Sequence, residues 1–190
     1  MGRLRIVGGA FRGRYVKVPQ GSMVRPTAEM VREALFNVLG ELQGCVVMDL
    51  FAGSGALGLE AISRGAVWCT FVERDRRVAS VLRENLVALG VQEVSEVFVA
   101  NYTAGLGLVT RKGRRYDVMF VDPPYEITGE VVECIRPWLT RLVKGGGLVV
   151  VEARKGQTFD PGLTEGLEEV FSRSYGDTSL CIVRRGEEDR

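Results

Sequence analysis

Asp49-Leu-Phe-Ala-Gly53-Ser-Gly55-Ala-Leu-Gly58 stands directly behind the apolar residues Cys45-Val-Val-Met48. A short apolar run closed by glycines reads as a buried strand, here Cys45 to Phe51. A tight turn, Ala52 to Gly55, and a helix to about Arg64 follow it. In open α/β sheets ligands bind at the carboxyl ends of the strands. Glycines there let backbone approach a ligand closely, and a helix N-terminus favours negative groups. Asp49 sits four residues before Gly53, where a carboxylate can face a ligand ammonium group. Glu73 closes a second strand, Val67 to Val72, twenty residues after Gly53. An acid at that place and spacing is suited to hold two ribose hydroxyls.

The same alternation runs outward in both directions. Upstream, Pro26-Thr27 opens a helical pattern that ends near Gly40, with Val31, Ala34, Leu35, Val38 and Leu39 at helical spacing. Downstream, Asp75 is placed to cap a helix from Arg76 to Leu89. Glu96–Ala100 reads as a strand, 102–112 as a weak helix, and Tyr116–Val121 as a strand ending at Asp122. A helix over 128–143 and a strand at Gly147–Val151 follow. Leu167–Tyr175 and Ser179–Arg184 then flank Gly176-Asp177, a hairpin signal. Strands alternating with helices imply an α/β fold with a mostly parallel sheet covered on both faces. The expectation is one domain over 1–190. Residues 1–40 form a basic N-terminal extension and helix, 41–185 a core with a C-terminal antiparallel hairpin, and 186–190 a frayed tail.

Composition narrows the chemistry. Apolar residues are 46% and charged residues 26% of 190, the balance of an ordinary globular domain. No apolar run approaches the ~20 residues a membrane span needs, and the basic start MGRLRIVGG lacks an apolar signal core. A cytoplasmic, monomeric protein is therefore expected. The chain has no histidine, which excludes Ser-His-Asp and Cys-His catalysis and most zinc sites; no metal is expected. Cys45, Cys69, Cys134 and Cys181 are scattered without a CxxC pair and read as small buried hydrophobes. Net charge is +1, yet seven basic residues and a single acid, Glu29, fall in residues 1–32. That segment carries +6 and the remainder −5. A basic arm of Arg3, Arg5, Arg12, Arg14, Lys17, Arg25 and Arg32, interleaved with Gly8, Gly9, Phe11, Gly13 and Tyr15, suggests a polyanionic partner.

Gly53-x-Gly55-x-x-Gly58 also matches the dinucleotide fingerprint. Asp49 ahead of it and a length that leaves no dehydrogenase catalytic domain argue against that reading. The discriminating motif is Asp122-Pro123-Pro124-Tyr125 at the tip of the fourth strand. Two prolines stiffen the backbone and remove two N–H donors, leaving carbonyls to accept. Asp122 adds a carboxylate acceptor, and Tyr125 an aromatic face on which a base can stack for ~1–3 kcal/mol. An exocyclic amine is a poor nucleophile because its lone pair is delocalised into the ring. Acceptors that hold both of its protons favour the pyramidal geometry from which it attacks.

These motifs resemble amino-directed class I methyltransferases, and among them the RsmD family of small-subunit ribosomal RNA guanine-N2 methyltransferases. The resemblance rests on Arg5-Ile-Val-Gly-Gly9, Arg12-Gly-Arg14, Arg25-Pro-Thr27, Val31-Arg-Glu-Ala-Leu-Phe-Asn37, Asp49 to Glu60 and Asp122 to Tyr125. It implies a Rossmann-like fold with a mostly parallel seven-stranded sheet. It also implies an S-adenosylmethionine site made by Asp49, Phe51, Ala52, Gly53, Gly55, Glu73, Arg74, Asn101, Tyr102 and Asp122. Glu73 would lie on the ribose and Asn101 at the adenine amino edge; Tyr102 departs from the small residue usual there. The catalytic residues implied are Asp122, Pro123, Pro124 and Tyr125, with a flipped guanine stacked on Tyr125. Arg3, Arg5, Arg12, Arg14, Lys17, Arg25, Thr27 and Arg32 would meet ribosomal RNA within an assembling or assembled small subunit. DNA adenine or cytosine amino-methyltransferases share the last motif but normally carry a separate target-recognition region. A non-catalytic RNA-binding protein of the same fold is the other alternative.

Overall fold

A computed structural model describes residues 2–19, 26–157 and 166–187. Arg25 lies outside the described residues, as does the side chain of Thr27. In chain order the elements are β1 Gly2–Arg5, β2 Tyr15–Val18, α1 Pro26–Leu39, β3 Val46–Asp49, α2 Ala56–Ser63, β4 Trp68–Glu73 and α3 Arg76–Leu89. Then come β5 Ser95–Val99, α4 Tyr102–Arg111, β6 Tyr116–Val121, α5 Thr128–Leu142, β7 Val143–Arg154, β8 Leu167–Tyr175 and β9 Thr178–Arg185.

Seven strands form one sheet in the order β5-β4-β3-β6-β7-β9-β8. The first five run parallel, and β9 is antiparallel to both β7 and β8. Alternation along each strand divides the core between two faces. Val47, Phe71, Val118, Phe120, Val150 and Ile182 pack with Val31, Leu35, Leu59 and Leu82, so α1, α2 and α3 cover one face. Met48, Val72, Met119, Val121, Val149 and Val183 pack with Leu106, Val131, Ile135 and Leu139 of α4 and α5 on the other. The connection after β3 therefore runs on one face and the connection into β6 on the other. A crevice opens between the carboxyl ends of these two neighbours, the place where this class of sheet takes its ligands.

The expected alternation holds, with β3 shorter and β7 longer than predicted. The N-terminal arm differs more, because it contains an antiparallel hairpin. Gly2 pairs with Val18 and Arg5 with Tyr15, and Leu4, Ile6, Val16 and Val18 are buried against the body. Buried polar side chains fasten it. Glu60, fully buried, accepts from Val7 N at 2.9 Å and from Arg64 Nε at 3.0 Å. Asn85 takes Lys17 N at 2.8 Å and donates to the carbonyls of Lys17 and Ser54 at 2.9 and 3.0 Å. One side chain thus ties the hairpin to the glycine turn.

Arg32 corrects an expectation. It is 4% exposed, donates Nη2 to the Arg5 carbonyl at 2.7 Å and lies 4.0 Å from Glu60. The spacing explains why: Arg32 precedes Phe36 by one helical turn on the inward stripe of α1. It is a structural arginine and offers no surface to RNA.

Candidate active site

A cavity of about 720 Å³ opens at the carboxyl ends of β3 to β7. The glycine turn lies beside it. Gly55 has φ +91° and a Cβ there would meet Leu82 Cδ1 at 2.5 Å, so only glycine fits. Gly58 is needed for a different reason: its Cβ would strike the Phe71 ring at 2.2 Å, so its absence lets α2 press against β4. Glu73 completes the turn by accepting Gly53 N at 2.9 Å and Asp75 N at 2.8 Å. Each carboxylate oxygen has a second lone pair, so the acid that shapes the loop can still accept from a ligand diol.

Asp49 stands differently from expectation. It is 1% exposed and does not line the cavity. Its Oδ2 accepts Gly58 N at 3.0 Å, while Oδ1 has no hydrogen-bond partner of ordinary geometry among the described residues. Burial pushes this carboxyl up to about 7, against relief from the Gly58 and Phe51 N–H groups; nearby Glu73 adds to the rise. Asp49 therefore braces α2 against the strand end from beneath the turn. Ala52, Gly53 and Gly55 likewise shape the turn without lining the cavity.

Phe51, Glu73, Arg74, Asn101, Tyr102, Asp122, Pro123, Pro124 and Tyr125 all do line it. The Phe51 and Tyr102 rings lie 5.5 Å apart at 35° and make one wall, and Tyr102 Oη donates to Glu130 at 3.1 Å. The bulky Tyr102 is thus part of an aromatic pair. Asn101 caps α4, its Oδ1 accepting Ala104 N at 2.8 Å and Thr103 Oγ1 at 2.9 Å. That commits the acceptor an adenine amino group would need, leaving Nδ2 to donate to a ring nitrogen.

Asp122 makes no side-chain hydrogen bond to the described residues. Burial, then the charges of Glu152 and Asp49, hold its carboxyl well above the ordinary range. Tyr125 begins a 3-10 turn to Ile127. Its hydroxyl lies 2.8 Å from Thr178 Oγ1 and donates to Glu152 Oε1 at 3.2 Å, which fixes the ring. Glu152 and Thr178 were missed by sequence reasoning. Glu152 was discoverable, since it is a fourth acid at the carboxyl end of a parallel strand, like Asp49, Glu73 and Asp122. Among the described residues no group of side chains could hold a metal ion, and no helix is long and apolar enough to cross a membrane.

Acidic walls beside an aromatic pair, with Glu73 still able to accept, suit a ligand with positive charges, a flat ring and a ribose. Fold and site together define a class I methyltransferase, the fold that uses S-adenosylmethionine. The chain belongs to the family described as Conserved hypothetical protein 95, the RsmD family, whose model matches residues 4–184. Escherichia coli (strain K12) ribosomal RNA small subunit methyltransferase D is 43% identical over 125 residues, 65% of this chain. That match covers 61% of the relative's own length. The Bacillus subtilis protein YlbH is 36% identical over 188 residues, 96% of this chain and 99% of that protein. The solved structure of Escherichia coli yhhF superposes with a TM-score of 0.82 at 32% identity, covering 98% of this chain and 100% of that one.

Proposed function

We propose that this protein methylates the exocyclic N2 amine of a guanine in small-subunit ribosomal RNA. The observation that carries the reading is Asp122. It is a carboxylate without a protein hydrogen-bond partner among the described residues, followed by two prolines and a ring pinned by its hydroxyl, at the mouth of a cavity suited to a cationic nucleoside. The likeness to the Escherichia coli ribosomal RNA small subunit methyltransferase D supports the RNA class.

S-adenosylmethionine bound in this cavity supplies a methyl group already activated by its sulfonium charge, so no metal is required. Glu73 would accept from its ribose hydroxyls, Phe51 and Tyr102 would hold its adenine, and Asn101 Nδ2 would donate to the adenine edge. Asp122, Asp49 and Glu152 present negative potential to the positive groups. Tyr125 gives the target base a face, while Asp122 and the Pro123 carbonyl accept its amine protons. Asp122, raised in its free state, is returned toward the carboxylate by cationic ligand and can take the proton the amine sheds after transfer.

The test is direct. Small subunits from cells lacking this protein are incubated with it and methyl-labelled S-adenosylmethionine, and the RNA is digested for mass spectrometry. Label in N2-methylguanosine is expected. Label on adenine or cytosine, or none, overturns the assignment.

A further inference from the structure

A second cavity of about 600 Å³ lies on the far side of Tyr125, lined by Tyr125, Arg154, Lys155 and Asp177. Tyr125 belongs to both cavities, and the electrostatics change sign across its ring. On the cofactor side Glu73, Asp75, Asp122, Glu126 and Glu152 outnumber the single cation Arg74. On the other, Arg154 and Lys155 outnumber the single acid Asp177, and neither cation has an ion-pair partner among the described residues. Arg154 holds its guanidinium 5.9 Å from the centroid of the Tyr125 ring.

This cavity's frame is built. Lys155 N donates to the Asp177 carbonyl at 2.8 Å, joining the end of β7 to the β8–β9 turn. Gln157 Oε1 accepts Arg154 N at 3.1 Å, and Gln157 Nε2 donates to the Tyr125 carbonyl at 3.1 Å. The two side chains are exposed while their backbone is fixed to the catalytic loop.

We propose that this cavity is an RNA phosphate subsite, holding the backbone next to the target nucleotide between Arg154 and Lys155. The inference deepens the proposed function and rests on it. A base stacked on Tyr125 drags its own phosphates with it. Carboxylates repel those phosphates on the cofactor side, and among the described residues the cations lining Tyr125's other cavity are these two. The N-terminal arm is a poor alternative for this local role: Lys17 is paired with Glu84 at 2.7 Å, Arg14 is bonded to the Ala88 carbonyl and Arg32 is buried.

The experiment compares wild type, Arg154→Gln/Lys155→Gln and the charge-preserving Arg154→Lys/Lys155→Arg. Each is assayed for methylation of small subunits, for binding of a labelled mixed-sequence single-stranded RNA across a salt series, and for S-adenosylmethionine affinity. The glutamine pair is expected to raise KM for subunits at least fivefold. It should flatten the log–log salt slope for RNA binding by up to roughly two units. Cofactor affinity should stay within twofold, and the charge-preserving pair should recover KM and slope. Unchanged KM and slope in the glutamine pair overturn the subsite, as does a loss the charge-preserving pair fails to recover. Wild type that binds RNA at these residues yet methylates no guanine keeps the subsite and sinks the guanine assignment instead.

Discussion

Strand β6 carries an aspartate at each end, and the two have opposite fates. Asp117, near the start, is satisfied: Lys144 Nζ reaches its two oxygens at 3.0 and 2.8 Å, and Val46 N donates to it at 2.7 Å. Asp122, just past the end, has no such partners, and burial with Glu152 and Asp49 raises its carboxyl. The same residue type in the same strand closes the sheet at one end and is left unspent at the other. Polar groups are satisfied where the fold is fastened and left wanting where a ligand completes them.

The sharpest way to break this contrast is Asp122→Asn. Methyl transfer should fall about a thousandfold, since the acceptor for the amine proton is gone. The melting temperature of the cofactor-free protein should not fall, because the Asp122 side chain makes no hydrogen bond to the described residues that the fold would lose. A drop in melting temperature would make Asp122 a structural residue like Asp117.

Asp49 sharpens the comparison through pH. Its folded carboxyl titrates at about 7 against an unfolded value near 3.8, so the fold favours its protonated form. Its contribution is therefore fully present below about pH 4 and is lost as pH rises through about 7. A span of about three pKa units corresponds to roughly 4 kcal/mol as an upper bound. Asp49→Asn, which keeps an oxygen for Gly58 N, should match wild type near pH 4 and be the more stable above pH 7. Parallel stability curves for the two proteins across that window would refute it.

Smaller effects come next. Glu73→Ala should weaken S-adenosylmethionine binding by ~2–3 kcal/mol in calorimetry, as two charge-assisted bonds to the ribose disappear. Asp117→Ala should cost about 1–2 kcal/mol in urea unfolding, the lost bond to Val46 N mattering more than the half-exposed ion pair. Its cofactor affinity should stay within twofold. Equal affinities for Glu73→Ala and wild type would remove Glu73 from the binding set.

Legibility followed the range of the interactions. The helix from Arg76 to Leu89 was readable because its cap is local: Asp75 Oδ1 accepts Arg77 N at 2.7 Å and Val78 N at 3.2 Å. The strand-tip acids were readable for the same reason. The N-terminal hairpin was not identified, although Leu4 and Ile6, then Val16 and Val18, alternate with outward residues. Strands of four residues are short, and the arginines on the open face drew the reading toward charge. The burial of Arg32, Glu60 and Asn85 depends on partners up to 68 residues away, which no local pattern announces. Asp49 combined both cases. Its position at a strand tip was legible, but its work beneath the glycine turn needed Gly58 folded against Phe71.

The place of β9, one strand in from the sheet edge, has a temporal consequence. It is the last of the nine strands in sequence, yet it lies between β7 and β8, and its first residue, Thr178, seats the Tyr125 hydroxyl. During synthesis the five parallel strands can pair while the catalytic ring still lacks its anchor. The slot beside β7 must then be filled by a segment entering late, a non-local closure of the kind that slows folding. The residues that β3 to β6 bring to the first cavity are therefore in place before the Tyr125 ring gains its seat on β9.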